Sequence, residues 1–132
     1  MLTTALRLYG KNDLRLESFE LPEIREDELL IKIVSDSICM STYKAAVQGG
    51  DHKRVPNDVD TNPVIVGHEF SAEIVQVGAK LTKQYQKGQR VSLQPAMKGT
   101  YDAAGYTFPY IGGDATYGII PSVYIGQGNV LP

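Results

Sequence analysis

Hydrophobic and polar residues form short runs along this chain, and the pattern predicts many short β-strands. Residues 14–21 alternate apolar and polar side chains, which is typical of a half-buried strand. Asn12 and Asp13 are turn residues directly before it, so this strand is expected to form a hairpin with residues 5–9. Further strands are predicted at residues 28–34, 64–66, 72–77, 90–93, 114–120 and 123–125.

One segment, residues 41–48, has the composition of a short helix. Two alanines favour it, Ser37 or Ser41 can cap its first turn, and the glycine pair at 49–50 ends it. Residues 97–111 are predicted to form a loop. Many short strands with little helix indicate a mainly β fold, a small barrel or sandwich. The sequence contains no Gly-x-Gly-x-x-Gly, so no dinucleotide-binding fold is predicted within it.

Bulk properties narrow the function classes. A chain of 132 residues is one domain by size. Its net charge of -2 gives no reason to expect nucleic acid or an anionic membrane as a partner. No apolar run approaches the ~20 residues of a membrane span, and the first residues lack the pattern of a signal peptide. A single cysteine excludes an internal disulfide, so a cytoplasmic location is expected.

The most informative stretch begins with a β-branched run at residues 64–66, followed by Gly67, His68 and Glu69. An imidazole and a carboxylate at the end of a buried strand need partners, and a metal is one such partner. Neighbouring strand side chains point to opposite faces, so both reach one site only if the chain bends, as Gly67 allows. Cys39 could add a thiolate. These three donors suit a catalytic zinc with one open position, which polarises a hydroxyl or carbonyl oxygen.

Each of these residues also has a plainer interpretation. A free cysteine such as Cys39 is more often a small buried hydrophobe than a functional group. A histidine at a strand end is more often a structural hydrogen-bonding group, and an adjacent acid is often merely exposed to solvent. Composition and spacing alone leave these alternatives open.

The order of several motifs resembles that of the zinc-dependent medium-chain dehydrogenases, the zinc alcohol and polyol dehydrogenases. Residues 67–70, followed by Gly78, resemble the zinc signature of that family. Three more stretches match in order, namely a cysteine–x–serine, a Gly-Asp-Arg-Val-like turn and a Gly-Gly-x-Ala-x-Tyr strand at residues 39–41, 87–91 and 112–117. The matches cover nearly the whole chain. They imply a GroES-like, partly open β-barrel with one or two short helices.

The resemblance also implies roles for individual residues. Cys39 and His68 would be zinc ligands, and Glu69 would be a ligand that exchanges with water or a group behind the ligands. Ser41 would bind the substrate hydroxyl and start the proton relay. The remaining ligand is expected beyond Pro132, so zinc binding by this chain alone would be weak or absent. The four-cysteine lobe of many members is missing, so one catalytic zinc and no structural zinc are expected.

Some positions depart from the family pattern. Residues 42–44 replace the usual sequence after the cysteine motif, and the acidic residue expected beside Ser41 is missing. Ala72 stands where the signature usually has glycine, and Gln89 replaces aspartate. The route of the proton relay is therefore open.

A basic loop separates the cysteine from the zinc signature. Lys44, Lys53 and Arg54 in this region form either a solvated surface or a phosphate-binding edge. Residues 35–44 and 51–58 resemble the L-sorbose-1-phosphate reductase branch of the family. The aromatic residues of the 101–110 segment would either line the substrate cleft or pack against the barrel.

Together these features predict that residues 1–132 are the catalytic, substrate-binding domain of a zinc-dependent NAD(P) oxidoreductase. It would interconvert an alcohol and a carbonyl on a sugar, polyol or sugar phosphate. The resemblance implies a C-terminal Rossmann domain for NAD or NADP beyond this chain, homo-oligomerisation in full length, and no activity for the chain alone. The alternative is a stand-alone GroES-like binding module without catalysis. A zinc-free reductase of the same superfamily is disfavoured by the pair Cys39 and His68.

Overall fold

A computed structural model of the chain describes residues 1–37 and 39–132. Within this part, short strands dominate and two short α-helices interrupt them. The strands are β1 (Leu2–Gly10), β2 (Asp13–Glu20), β3 (Leu29–Asp36), β4 (Val64–Ile65), β5 (Phe70–Val77), β6 (Arg90–Leu93), β7 (Tyr117–Ile120) and β8 (Val130–Leu131). The helices are α1 (Met40–Gln48) and α2 (Ser122–Gly126), with 3-10 turns at Gly49–Asp51 and Ala79–Leu81.

The strands form two antiparallel sheets. One has the order β2-β1-β4, and the other has the order β7-β3-β5-β6-β8. Neither sheet closes on itself among the described strands, so the architecture is a partly open barrel. The predicted fold class, mainly β with one or two short helices, is confirmed.

The predicted hairpin is present, but its burial differs from the expectation. β1 and β2 pair from Leu2 opposite Glu20 to Gly10 opposite Asp13, and Asn12 turns the chain with a φ of 55°. The apolar face of β2 is not buried, however, and Leu16 is 74% exposed. β2 is an edge strand of its sheet, and Leu14 on the same face is exposed as well.

Among the described residues, the two largest of three hydrophobic clusters lie on different sheets of the barrel. The larger lies on the five-stranded sheet and includes Leu29, Ile31, Ile74, Ile120 and Tyr124. The second joins β1, α1 and β4 to the loops after α1 and β6, and its members are Leu8, Ala45, Val55, Val59, Val64, Val66, Ala103 and Tyr106. This second cluster lies next to the stretch that carries the zinc signature.

Three details of the predicted elements are wrong. Residues 123–125 form part of α2 instead of a strand, because Pro121 begins a helical turn that buries Tyr124 completely. β7 begins at Tyr117, three residues later than predicted. The N-cap of α1 is Cys39, with no side-chain capping bond, so neither Ser37 nor Ser41 caps the helix.

The described helices are also short. None of them is both long enough and apolar enough to cross a membrane.

Candidate metal centre

The three predicted ligands come from two connections between strands. Cys39 follows β3 and immediately precedes α1. His68 and Glu69 lie between β4 and β5, where Gly67 adopts a φ of 96°. The end of β3 lies alongside the start of β5, since Asp36 pairs with Phe70. The predicted bend at Gly67 is present, and the strand pairing brings the two connections together.

The donor atoms of the three residues form one compact group. One ligand atom each of Cys39, His68 and Glu69 lies within 4.8 Å of the other two. Cys39 is half-buried, and the side chains of His68 and Glu69 are 14% and 59% exposed. A thiolate, an imidazole and a carboxylate that converge at the protein surface match the donor set of an open zinc site.

The His68 ring has one nitrogen near an acid and one without a partner. Nε2 lies 3.4 Å from Glu69 Oε1. Nδ1 is buried and has no hydrogen-bond partner among the residues that the structure describes. Because Nε2 is the nitrogen that faces the Glu69 carboxylate, Nε2 is the ring atom suited to a metal, and the buried Nδ1 is left without an acceptor in the described part of the chain.

Ser37 fixes the position of Glu69. Its Oγ donates a hydrogen bond to Glu69 Oε2 at 2.9 Å, and its backbone N–H donates to Glu69 O at 2.9 Å. The sequence indicates Ser37 only as a possible helix cap and does not predict this role. Its place directly after a strand that pairs with the zinc-signature strand is the signal that could have revealed it.

A pair of acids lies behind the ligands. The Asp36 carboxyl group packs between Gly67 and Gly113, where a Cβ on either glycine would collide with its oxygens. Burial, a hydrogen bond that the protonated Asp36 donates to Asp114, and the charge of Asp114 raise the pKa of Asp36 to about 8. Near neutral pH Asp36 therefore keeps its proton. Sequence analysis did not identify either residue, because they meet only through the fold.

A cavity of about 670 Å³ opens beside His68 and Glu69. One of its walls is a row of hydroxyl groups from three neighbouring strands. Ser35 Oγ and Ser71 Oγ lie 3.1 Å apart, and Ser71 is opposite Ser92 in the next strand pair. This row gives the cavity polar groups suited to a hydroxyl-rich molecule.

A smaller cavity of about 220 Å³ lies beside Cys39 and is lined by Ser37, Thr42 and Tyr43, among others. Ser41 is half-buried in the first turn of α1. It is not among the described residues that line either of these two cavities.

Only two of the three predicted basic residues lie near each other. Lys53 Nζ lies 5.1 Å from the centre of the Tyr101 ring, and Arg54 Nη1 donates a hydrogen bond to Tyr101 O at 3.0 Å. Lys44 is exposed on α1. The structure describes no contact between Lys44 and the other two, so only Lys53 and Arg54 are brought together.

Both interpretations of the aromatic segment apply to some of its residues. Tyr106 is buried, whereas Tyr101 is 61% exposed.

Comparison with known proteins identifies relatives of the whole chain. The chain is 54% identical to the uncharacterized protein YggP of Escherichia coli K12 over 134 residues. It is 51% identical both to L-sorbose 1-phosphate reductase of Klebsiella pneumoniae and to mannitol-1-phosphate 5-dehydrogenase of Aliivibrio fischeri, with 98% of this chain covered. The matched region is 31%, 32% and 31% of these three relatives, so the chain spans about a third of their length.

A similar fold occurs in a solved structure. The 2R,3R-butanediol dehydrogenase of Bacillus subtilis matches with a TM-score of 0.73 and 28% identity, over 92% of this chain and 39% of that one. The family described as the alcohol dehydrogenase GroES-like domain matches residues 25–127. This result confirms the family predicted from the sequence motifs. The chain belongs to the alcohol dehydrogenase GroES-like domain family.

Proposed function

We propose that this chain is the catalytic domain of a zinc-dependent NAD(P) oxidoreductase that interconverts an alcohol and a carbonyl. The observation that carries the proposal is the convergence of Cys39, His68 and Glu69 within 4.8 Å. A cavity lined by hydroxyl groups adjoins these residues and provides space for a substrate. The substrate is proposed to be a sugar, a polyol or a sugar phosphate, the chemical class named for two of the relatives.

Each residue of the site is proposed to have a separate role. Cys39 and His68 would hold the zinc ion, with Glu69 as a third donor or as a group that gives way to water. Zinc bound there supplies Lewis-acid polarisation of the substrate oxygen. Ser37 orients Glu69 through its hydroxyl. The Asp36 carboxyl group fills the space beside Gly67. The backbone turn at Gly67 sets the direction of His68, which follows it in the chain.

Proton and hydride transfer complete the proposal. Ser41 is proposed to bind the substrate hydroxyl and to pass its proton towards solvent. Hydride transfer requires NAD or NADP, and we propose that a Rossmann domain in a longer, homo-oligomeric, cytoplasmic protein binds that cofactor. One catalytic zinc and no structural zinc are proposed, since Cys39 is the single cysteine of this sequence.

Activity measurements on that longer protein test the proposal. Reduction of a ketose phosphate by NADH or NADPH should be lost after chelation, restored by zinc, and abolished by Cys39→Ala. Turnover that survives both chelation and Cys39→Ala would overturn the zinc-dependent mechanism. A complete lack of hydride transfer by the zinc-loaded protein on sugars, polyols and their phosphates would favour the stand-alone binding module.

The basic loop provides a test of the substrate class. Lys53 and Arg54 both contact Tyr101, and the two side chains are proposed to bind one phosphate group together. Replacing both with alanine should raise KM for a sugar phosphate about tenfold, a loss of about 1.4 kcal/mol in binding, with little change for the unphosphorylated sugar. Lys83→Ala, which removes an exposed charge outside this loop, is the control. Equal changes for both substrates would exclude a phosphate-binding role.

A further inference from the structure

Three aromatic rings lie in a row from the basic loop to the candidate metal centre. The Tyr106 ring is 5.5 Å from the His68 ring, centre to centre, with a tilt of 46°. On its other side it stacks on His52, at 5.3 Å and 19°. Tyr106 itself is only 7% exposed. These distances and tilts fall in the range of favourable aromatic pairs.

This row compensates for a missing hydrogen bond. A histidine that binds a metal almost always donates its second ring nitrogen to an acceptor, which fixes the orientation of the ring. The buried Nδ1 of His68 has no such acceptor in the described parts of the chain. Packing must therefore limit the rotation of this ring, and Tyr106 is the aromatic residue in contact with it.

The ring behind Tyr106 is itself held in place. His52 Nδ1 accepts a hydrogen bond from the Arg54 backbone N–H at 3.1 Å, so its proton lies on Nε2. Burial, together with the charges of Arg54 and Lys53, lowers the pKa of His52 and keeps its ring neutral.

The loop that carries Tyr106 is fixed to the same segment. Thr107 Oγ donates a hydrogen bond to Arg54 O at 2.6 Å and accepts one from the Ala103 N–H at 2.9 Å. Two hydrogen-bonded loops therefore hold the stack from both sides.

We propose that Tyr106, backed by His52, is a positioning residue that holds the His68 imidazole in its metal-binding orientation in place of a hydrogen-bond acceptor. The inference rests on the proposed metal site. It assigns the aromatic ring of Tyr106, and not its hydroxyl group, as the functional part, because the ring is what contacts both imidazoles.

Cobalt binding to the longer protein tests the proposal, since Co²⁺ in such a site has visible absorption bands that report ligand geometry. Tyr106→Leu should weaken Co²⁺ binding about tenfold or more, the size typical for losing a group that orients a ligand, and should shift the bands. Tyr106→Phe keeps the ring and should bind within about twofold of the wild type. Phe108→Leu is the matched control, because it removes a ring from the same loop that packs on Tyr124, with ring centres 5.7 Å apart.

The outcomes separate this inference from the proposed function. If the longer wild-type protein binds no Co²⁺, the metal site and this inference both fail. If it binds Co²⁺ and Tyr106→Leu binds equally well, or if Phe108→Leu loses as much affinity, the positioning role alone is wrong. If Tyr106→Leu does not fold, His52→Leu and His52→Phe provide the comparison instead. His52 lies in a surface loop, and the two variants differ in whether an aromatic ring stacks on Tyr106. Weaker binding by His52→Leu than by His52→Phe supports the stack, and equal binding overturns it.

Discussion

The Asp36 carboxyl group lies beside Asp114 directly behind the candidate ligands, and its raised pKa has a consequence for stability. The pKa of Asp36 is about 8 in the folded chain, against about 3.9 in an unfolded chain. Between these values the folded chain keeps a proton that the unfolded chain releases, so the free energy of unfolding falls as pH rises from about 4 to 8. Above about pH 8, Asp36 no longer makes the free energy of unfolding depend on pH.

Asp36→Asn removes this titration and keeps a hydrogen-bonding side chain of the same shape. The thermal midpoint of the metal-free variant should fall less between pH 5 and pH 8 than that of the wild type, with a difference of a few degrees. Asp60→Asn, at an exposed position, should follow the wild type. Identical slopes for Asp36→Asn and the wild type would show that the pKa of Asp36 is not raised in the folded chain.

Residue types and spacing predicted the three candidate ligands, because a strand, a glycine and two adjacent polar residues form a local pattern. Their partners could not be predicted in the same way. Asp36 meets Asp114, and Ser37 meets Glu69, only because two strands pair in one particular register. Tyr106 reaches His68 from a loop 38 positions further along the chain (106 minus 68).

At the scale of elements, β2 shows that an alternating pattern predicts a strand better than it predicts burial. Leu8 in β1 is fully buried, whereas Leu16 in β2 is 74% exposed. Leu8→Ala should therefore destabilise the chain by about 2–5 kcal/mol. Leu16→Ala should change the free energy of unfolding by less than about 0.5 kcal/mol.

Urea unfolding of the two variants measures this difference. Leu8→Ala is expected to lower the midpoint concentration with little change in slope. A large loss of stability in Leu16→Ala would mean that the apolar face of β2 is covered in solution.

α2 shows why element type also depends on the rest of the molecule. Valine, tyrosine and isoleucine at positions 123–125 favour strands. Tertiary contacts outweigh that preference. The buried Tyr124 hydroxyl donates to Pro95 O at 2.6 Å and accepts from the Ala104 N–H at 2.5 Å, and its burial raises the pKa to about 12. A helical turn places the ring where it can make both bonds.

In the molecule as a whole, the candidate metal centre lies where the chain passes from one sheet to the other. β4 belongs to the three-stranded sheet and β5 to the five-stranded sheet, and His68 and Glu69 lie between them. Cys39 follows β3, the neighbour of β5. The site therefore forms only when both sheets are folded and correctly placed. The motif order predicted the GroES-like barrel and the candidate ligands through the resemblance to a known family, and hydrophobic periodicity alone predicted only a mainly β fold.

Cys39, His68 and Glu69 are proposed to bind one zinc ion, and calorimetric titration of the longer protein with Zn²⁺ measures that binding. The account predicts one saturable equivalent for the wild type, loss of that binding in Cys39→Ala and His68→Ala, and a smaller loss in Glu69→Gln. Asp51→Asn, at an exposed acid outside the group, should bind like the wild type. Absence of saturable binding, or an affinity unchanged by the loss of Cys39 and His68, would contradict the account.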